Sequence, residues 1–469
     1  MKLTKELKNY SFLKAATTIA DEQNIQVYLV GGFVRDLILK RDNADIDFMV
    51  LGNANHYAKQ LAKKLGVDKV DIFKNFGTAH FNYKNLDFEF VGARKESYKR
   101  DSRKPDVTEG SFIEDIRRRD FTINTLAVSI NHKNFGNLID NFHGYDDIQN
   151  KIIRTPIDPL KTFDDDPLRI LRAFRFAAQL GFTVDKSINK AAHKLTGRME
   201  IVSQERITDE FLKILSTQKP SAGLKLLFKS GVLEIIFPEI SNLAGVEQRD
   251  DYHHKEVFLH TCQVVDNISK FTDDVWLRFA ALVHDIAKPR TKKFVEGIGW
   301  TFHGHEELGA KMMKPIFKRM KLPFNKLSYV EKLVRLHLRP IALAKEDVTD
   351  SAVRRLIVSA NDDLEDLITL CRADITSKNP NKVNKYLKNY DIVMKKVIDV
   401  RMRDKLRAFQ SPVRGETIMQ VCNIKPSKKV DEIKKEIEDA ILDGKINNSY
   451  EEAYDYLLTI KDDILKKDN

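Results

Sequence analysis

The chain has 469 residues, 42% of them hydrophobic and 31% charged, a balance that excludes a disordered chain. Its 79 Lys and Arg against 68 Asp and Glu leave a formal charge of +11, which suits a polyanionic partner. Three scattered cysteines, Cys262, Cys371 and Cys422, exclude a disulfide scaffold and a thiolate zinc knuckle, and no run nears the ~18 apolar residues of a membrane span.

The length predicts three or four domains. The first residues lack a signal-peptide core, so a cytoplasmic location and no membrane partner are expected. In chain order, an amphipathic helix is predicted over Leu7 to about Ala20, with Phe12, Leu13, Ala16 and Ile19 inward. Val27 to Val30 reads as a strand ending at Gly31-Gly32, and Phe33 to Leu39 as a helix start. Ile46 to Val50 reads as a second strand and Tyr57 to Leu65 as a helix. Ala79 to Tyr83 and Leu86 to Val91 read as strands joined by a Lys84-Asn85 turn. The fold class is therefore α+β: a mixed sheet with helices, and after Pro159 a body predicted to be wholly helical. Breaks fall at the polar stretch Ser241 to Asp250 and near Gln410 to Gly415.

Asp45 and Asp47 are two apart on a strand, so both carboxylates share one face while Ile46 and Phe48 point the other way. Two adjacent anions are tolerable if a divalent cation sits between them, and magnesium prefers such oxygen donors. Glu89 alternates with Phe88 and Phe90 on another strand; if the strands are neighbours, Asp45, Asp47 and Glu89 form a three-carboxylate metal site. The other reading leaves the two aspartates facing solvent. Gly31-Gly32, between strand and helix, offers amides that can cradle a phosphate. Arg35 then meets a phosphate or pairs with a local acid.

Arg117-Arg118-Arg119-Asp120 concentrates charge ahead of Asn124. The guanidinium fork suits a triphosphate, and Asn124 suits a sugar hydroxyl; alternatively the arginines form a basic turn paired with Asp115 and Asp120. Asp166 and Arg169 lie three apart on a helix opened by Pro167, with Arg172 and Phe176 continuing that side. An accepting carboxylate and a donating guanidinium on one face can bind a nucleobase edge, or they form an ordinary cap and helix ion pair. Glu205 and Arg206 read as structural residues. His260, His284, Asp285 and Asp374 can bind one divalent metal, to which His303 and His305 can add contacts; the alternative is a braced helical core without metal. Lys378, Lys382, Lys385, Lys388, Lys395, Lys396, Arg401, Arg403, Lys405 and Arg407, with Lys314, Lys318, Arg319 and Lys321, form either a phosphate-tracking stripe or a solvated basic face.

In sequence, Val30-Gly31-Gly32-Phe33-Val34-Arg35-Asp36, Asp45-Ile46-Asp47, Glu89, Arg119-Asp120-Phe121-Thr122-Ile123-Asn124 and Asp166-Pro167-Leu168-Arg169 resemble the motifs of bacterial CCA-adding tRNA nucleotidyltransferases, in the class that also holds bacterial poly(A) polymerases. The likeness departs from the family pattern at Thr125, where Ala is common, and at Asp165, where Glu is usual. His260, His284-Asp285, Phe302-His303-Gly304-His305 and Asp374 resemble an HD phosphohydrolase domain.

The resemblance implies a catalytic domain over residues 1–155 with magnesium on Asp45, Asp47 and Glu89, and ribose and phosphate contacts that include Arg119 and Asp120. It implies a helical neck over 156–245 in which Asp166 and Arg169 read CTP or ATP, an HD domain over 246–410 with a second divalent metal, and a tRNA-binding tail over 411–469. The activity implied is addition of C, C and A to the 3′ end of tRNA. The rivals are A-only addition, as a poly(A) polymerase or an A-adding tRNA enzyme, an HD phosphohydrolase with an inactive front domain, and a noncatalytic tRNA-binding protein.

Overall fold

The computed structural model describes residues 1–73, 77–99, 102–250, 253–297, 299–343, 349–377, 379–404 and 411–466. The chain forms two compact units, Met1–Asn242 and Leu243–Asn469.

The first unit is built on a seven-stranded mixed sheet. Its spatial order is Asp71–Phe73, Thr78–Tyr83, Leu86–Gly92, Asp45–Leu51, Gln26–Val30, Ala127–Ser129 and Leu138–Ile139. The Asp45–Leu51 and Leu86–Gly92 strands run parallel, with Asp45 opposite Asp87 and Asp47 opposite Glu89. Period-two alternation then sorts the two strands by face. Phe48, Phe88 and Phe90 are fully buried, and Phe48 and Phe90 stack with ring centroids 4.7 Å apart. The acids take the opposite face. The Lys84-Asn85 turn has positive φ at both residues (49° and 64°), as a tight two-residue hairpin requires.

Behind the sheet lie the helices Phe12–Glu22 and Ala54–Leu65, the latter capped by the Asn53 side chain and ended by Gly66. The helix expected over Leu7 to Ala20 is in fact two, Thr4–Leu7 and Phe12–Glu22. The chain turns between them so that the Tyr10 ring packs edge-on against Phe12 and Phe33, a tertiary contact that overrides local helical spacing. Helices Leu168–Leu180 and Gln204–Leu215 complete the part of this unit that faces the acids.

The second unit is mainly helical, from Val257–Ile268 through Tyr450–Lys466. Here the expectation of a body without strands needs correcting. Glu247–Asp250 pairs with His253–Glu256, and Lys293–Val295 with Gly299–Thr301, and in the first unit Ile152–Ile153 pairs with Thr183–Val184. Strands of two to four residues are too short to show an alternating pattern. The last three helices close on their own apolar core of Val413, Ile418, Val430, Ile433, Ile437, Ile441, Ala453 and Leu457. Among the described residues, no helix is long and apolar enough to cross a membrane.

Candidate active site

The acidic face of the sheet floors an open cleft of about 900 Å³, within the ~300–1,000 Å³ of small-ligand sites. Asp45, Asp47, His80, Asp87 and Glu89 line its floor, and Arg118, Arg119, Asp166, Arg169, Arg172 and Arg206 line its walls. Strand pairing puts Asp45, Asp47 and Glu89 on one face, as expected if the two strands are neighbours. Burial pushes the Asp47 carboxyl up to about 6; Arg119 opposes this, while Glu89, Asp45 and Asp87 add to it. His80 is hydrogen-bonded to Asp87. Three hard oxygen donors and a strained Asp47 charge fit a magnesium ion. The carboxylate oxygens are not drawn tightly together. Among the described residues, the groups with ligand atoms mutually within 4.8 Å lie in the second unit.

Gly31 ends the first strand at φ 72° and ψ −134°, a region essentially confined to glycine. A Cβ there would come within 2.8 Å of Arg119 Nη1 and 3.2 Å of Asp47 Oδ2. The bare Gly31 backbone thus leaves room for the guanidinium and the carboxylate side by side.

Of the two readings of Arg35, the local acid is realised. Its Nε and Nη2 donate to Asp36 at 2.9 and 2.7 Å, and its Nη1 donates to Asn124 Oδ1 at 2.8 Å. Asn124 in turn donates to Asp120 Oδ1 at 2.9 Å, so both ends of its amide are held by protein. Arg172 donates to Asp120 Oδ2 at 2.8 Å through Nε and approaches it to 2.6 Å through Nη2. Burial opposes the charge on Asp120, but Arg172, Asn124 and Arg169 outweigh it and hold the carboxyl down to about 2. Asp115, fully buried, accepts from Arg118 at 2.6 and 3.0 Å and from Arg119 at 3.3 Å. The basic wall is therefore fixed from behind by acids.

Asp166 caps its helix by accepting from Leu168 N at 3.2 Å, and its other oxygen accepts from Arg206 Nη2 at 3.2 Å. Arg169, which is buried, donates from Nη2 to the Arg118 carbonyl at 2.8 Å. Both Asp166 and Arg169 reach the cleft. Sequence reasoning set Arg206 aside as structural, yet it lines the cleft and orients Asp166. It also gave no role to Glu210, buried and accepting from Arg175 at 2.6 Å. Phe176 stacks beneath the guanidiniums of Arg35, Arg172 and Arg175 at 5.0, 5.5 and 4.1 Å. Glu210 left a readable trace, since it is an acid on the helix face that carries Ile207, Phe211 and Ile214.

In the second unit, His260, His284 and Asp285 are drawn together, with Asp374 beside them. His260 Nε2 lies 2.9 Å from Asp374 Oδ1, and His284 Nε2 lies 3.2 Å from Asp285 Oδ2 and 3.3 Å from Asp374 Oδ1. Burial opposes a charge on His284, but Asp285 and Asp374 raise the imidazole to about 10, and both carboxyls are held well below their usual range. That field suits a cation, and the imidazole-carboxylate set fits a transition ion. His305 joins the group; His303 is exposed.

The basic stripe rides on the helix Pro380–Asp404. Lys382, Lys385, Lys388 and Lys395 are exposed and Lys396 half-buried. Arg401 donates to the Asn361 carbonyl at 3.5 Å, and the Arg403 charge is offset by Asp350 and Asp399 at 2.7 and 2.9 Å. Lys378, Lys405 and Arg407 lie outside the described residues.

Residues 27–154 match the poly A polymerase head domain, residues 181–243 the probable RNA and SrmB-binding site of polymerase A, and residues 253–377 the HD domain. The chain is 34% identical over 314 residues to the multifunctional CCA protein of Shewanella frigidimarina, covering 64% of this chain and 70% of that one. It is 30% identical over 380 residues to the multifunctional CCA protein of Aliivibrio salmonicida, covering 77% and 88%. The A-adding tRNA nucleotidyltransferase of Aquifex aeolicus is 37% identical over 274 residues, which is 58% of this chain but only 32% of that longer protein. A tRNA nucleotidyltransferase structure with a primer tRNA and an incoming ATP analog aligns at 27% identity with a TM-score of 0.59, covering 82% of this chain and 99% of that one. A CCA-adding enzyme in apo form, at 24% identity and TM-score 0.64, shares the fold over 98% and 97% of the two chains.

Proposed function

The chain belongs to the tRNA nucleotidyltransferase family of the multifunctional CCA proteins, and from that premise we propose that it adds C, C and A to the 3′ end of tRNA from CTP and ATP. The observation that carries this reading is the parallel register that sets Asp45, Asp47 and Glu89 on one floor beneath a wall of arginines.

Magnesium held by Asp45, Asp47 and Glu89 would activate the RNA 3′-hydroxyl and neutralise charge at the α-phosphoryl group. Arg118 and Arg119, fixed by Asp115, offset triphosphate charge, and the Gly32 amide adds a phosphate donor, the Gly31 amide being given to the Leu126 carbonyl at 3.2 Å. Asp120 and Asn124 hold Arg172 and Arg35 in place, and in this reading they meet the ribose. Asp166 accepts an amino hydrogen of cytosine or adenine while Arg169 donates to a ring nitrogen or carbonyl. Protein side chains thus select the base, and a mispaired edge leaves buried polar groups unsatisfied. Catalysis sits in residues 1–155, base reading in the neck 156–245, the HD site in 246–410 and tRNA binding in the tail 411–469, with the lysines of Pro380–Asp404 contributing backbone contacts. The cytoplasm is the working location.

Primer extension of tRNA lacking CCA, with CTP and ATP supplied separately and together, tests the reading. Incorporation of CTP followed by ATP is expected; incorporation of ATP alone supports the second reading, A-only addition, which the similarity to the Aquifex aeolicus enzyme favours.

A further inference from the structure

Residues 40–44 carry the chain from the helix Gly32–Leu39 to the strand Asp45–Leu51. Within this loop Asn43 makes two side-chain bonds of opposite sense. Its Nδ2 donates to Asp36 Oδ2 at 2.8 Å, and its Oδ1 accepts from the Asp45 backbone N–H at 2.8 Å. A carboxylate only accepts and a backbone N–H only donates, so the amide has one workable orientation; turned over, it would lose both bonds. The same amide nitrogen borders Gly32, where an added Cβ would lie 3.7 Å from it.

Both ends of this tie are held. Arg35 and Asp36 are buried, Arg35 donates to Asp36 through Nε and Nη2, and its Nη1 donates to Asn124. Asn43 therefore extends a chain of hydrogen bonds, from Asn124 through Arg35 and Asp36, to the first residue of the acidic strand. At the other end, the Ala44 carbonyl accepts from the Asp87 N–H at 2.8 Å. The carbonyl of Ala44 and the N–H of Asp45 belong to one planar peptide unit. That plane is clamped by the neighbouring strand at its oxygen and by Asn43 at its nitrogen. Asp45 is exposed, so packing does not orient its side chain; the clamped peptide sets the direction in which its carboxylate leaves the backbone.

We propose that Asn43 is a positioning residue of the acidic floor: by tying the peptide before Asp45 to the buried Arg35–Asp36 pair, it fixes Asp45 for the divalent cation. The inference rests on the nucleotidyl-transfer reading. The bond to Asp45 N is an ordinary turn contact that a serine can also make. The bond to Asp36 is the part that a local turn does not explain. A serine has a single oxygen one bond nearer the backbone, so it cannot keep both.

Two substitutions in the full-length chain separate the turn from the tie. Asn43→Ala removes both bonds, whereas Asn43→Ser keeps an acceptor for Asp45 N and loses Asp36. Calorimetry of Mg²⁺ binding without nucleotide reads the floor directly, with the heat that persists in an Asp45→Asn chain subtracted. Both variants are expected to bind Mg²⁺ about 10–100-fold more weakly, the usual cost of losing a partner that orients a metal ligand. They should also need more Mg²⁺ for half-maximal nucleotide incorporation, with an unchanged circular dichroism spectrum as the fold control. Mg²⁺ binding by Asn43→Ser equal to that of the unaltered chain overturns the proposal, because the turn alone would then orient Asp45. An unaltered chain without Asp45-dependent heat overturns it too. Weakened Mg²⁺ binding in both variants, alongside an unaltered chain that incorporates neither CTP nor ATP, supports the role of Asn43 and overturns the nucleotidyl-transfer reading instead.

Discussion

Asp47 and Glu89 face each other across a parallel strand pair, 42 positions apart in sequence and directly opposite in register. Because the register is set by alternating burial of Phe48, Phe88 and Phe90, a slip of one residue would turn every acid into the core and every phenylalanine into the cleft. The acidic floor of the cleft and the hydrophobic core are therefore one device. Replacing Asp45 or Asp47 with Ala should lower nucleotide addition on the order of 10²–10³-fold or more, the scale for loss of one charge-stabilising group, with tRNA affinity unchanged in a filter-binding assay.

The raised carboxyl of Asp47 gives that floor a pH signature. Its folded value of about 6 lies above the ordinary 3.8, so the native state keeps a proton that the unfolded chain releases. In the absence of divalent cation the resulting stability is present below pH 3.8 and lost as pH rises through about 6. Cation binding works against the proton, so Mg²⁺ affinity should fall as pH drops below about 6. Isothermal titration from pH 5 to pH 7.5 checks this, and the dependence should vanish in Asp47→Asn.

Gly31→Ala tests the crowding behind the floor. The added methyl meets a glycine-only backbone region and lies 2.8 Å from Arg119 Nη1 and 3.2 Å from Asp47 Oδ2. The backbone term alone should cost about 1–3 kcal/mol in urea denaturation. Arg119 can swing aside more readily than the sheet can shift Asp47, so kcat is expected to fall more than tRNA affinity.

Asp120 should appear in acid denaturation with the opposite sign to Asp47. Its folded value of about 2 lies below 3.8, so it contributes stability that is present above pH 3.8 and lost as pH falls through about 2. Asp120→Asn should flatten that acid limb and lower stability at pH 7 by about 1–3 kcal/mol, because Arg172 loses a charged partner and one of the two accepting oxygens becomes a donating amide.

Local rules read the floor of the site well and its walls less well. Period two and the order of apolar residues put Asp45, Asp47 and Glu89 on one face, because a strand's two faces are written in adjacent letters. The partner of Arg35 in Asn124 lies 89 positions away, and that of Asp166 in Arg206 lies 40 away. No local period encodes such pairs, so the hydrogen bonds that hold Asn124 and Asp166 in place were not legible and Arg206 read as a structural residue. His337 was similarly remote from His284-Asp285; only the packing of three helices brings its Nε2 to Asp285. The short hairpins escaped because two to four residues carry too little pattern to compete with helical neighbours.

The Asp166–Arg206 contact yields a prediction about selectivity rather than rate. Arg206 holds one Asp166 oxygen at 3.2 Å while the other caps the helix at Leu168, so the carboxylate orientation is set before any nucleotide arrives. Arg169 is oriented from the opposite side by the Arg118 carbonyl. Arg206→Ala frees Asp166 to rotate while leaving Asp166 and Arg169, the two proposed base-reading groups, in place. It should raise KM for CTP and ATP several-fold with a smaller change in kcat, and should relax discrimination against GTP and UTP. On the proposed reading Arg169→Ala removes a donor to the base and should cost on the order of 10²-fold or more in kcat/KM. Steady-state kinetics with all four nucleotides, on tRNA lacking CCA for CTP and on tRNA ending in CC for ATP, separates the two. An Arg206→Ala enzyme with wild-type selectivity would mean that the helix cap alone orients Asp166.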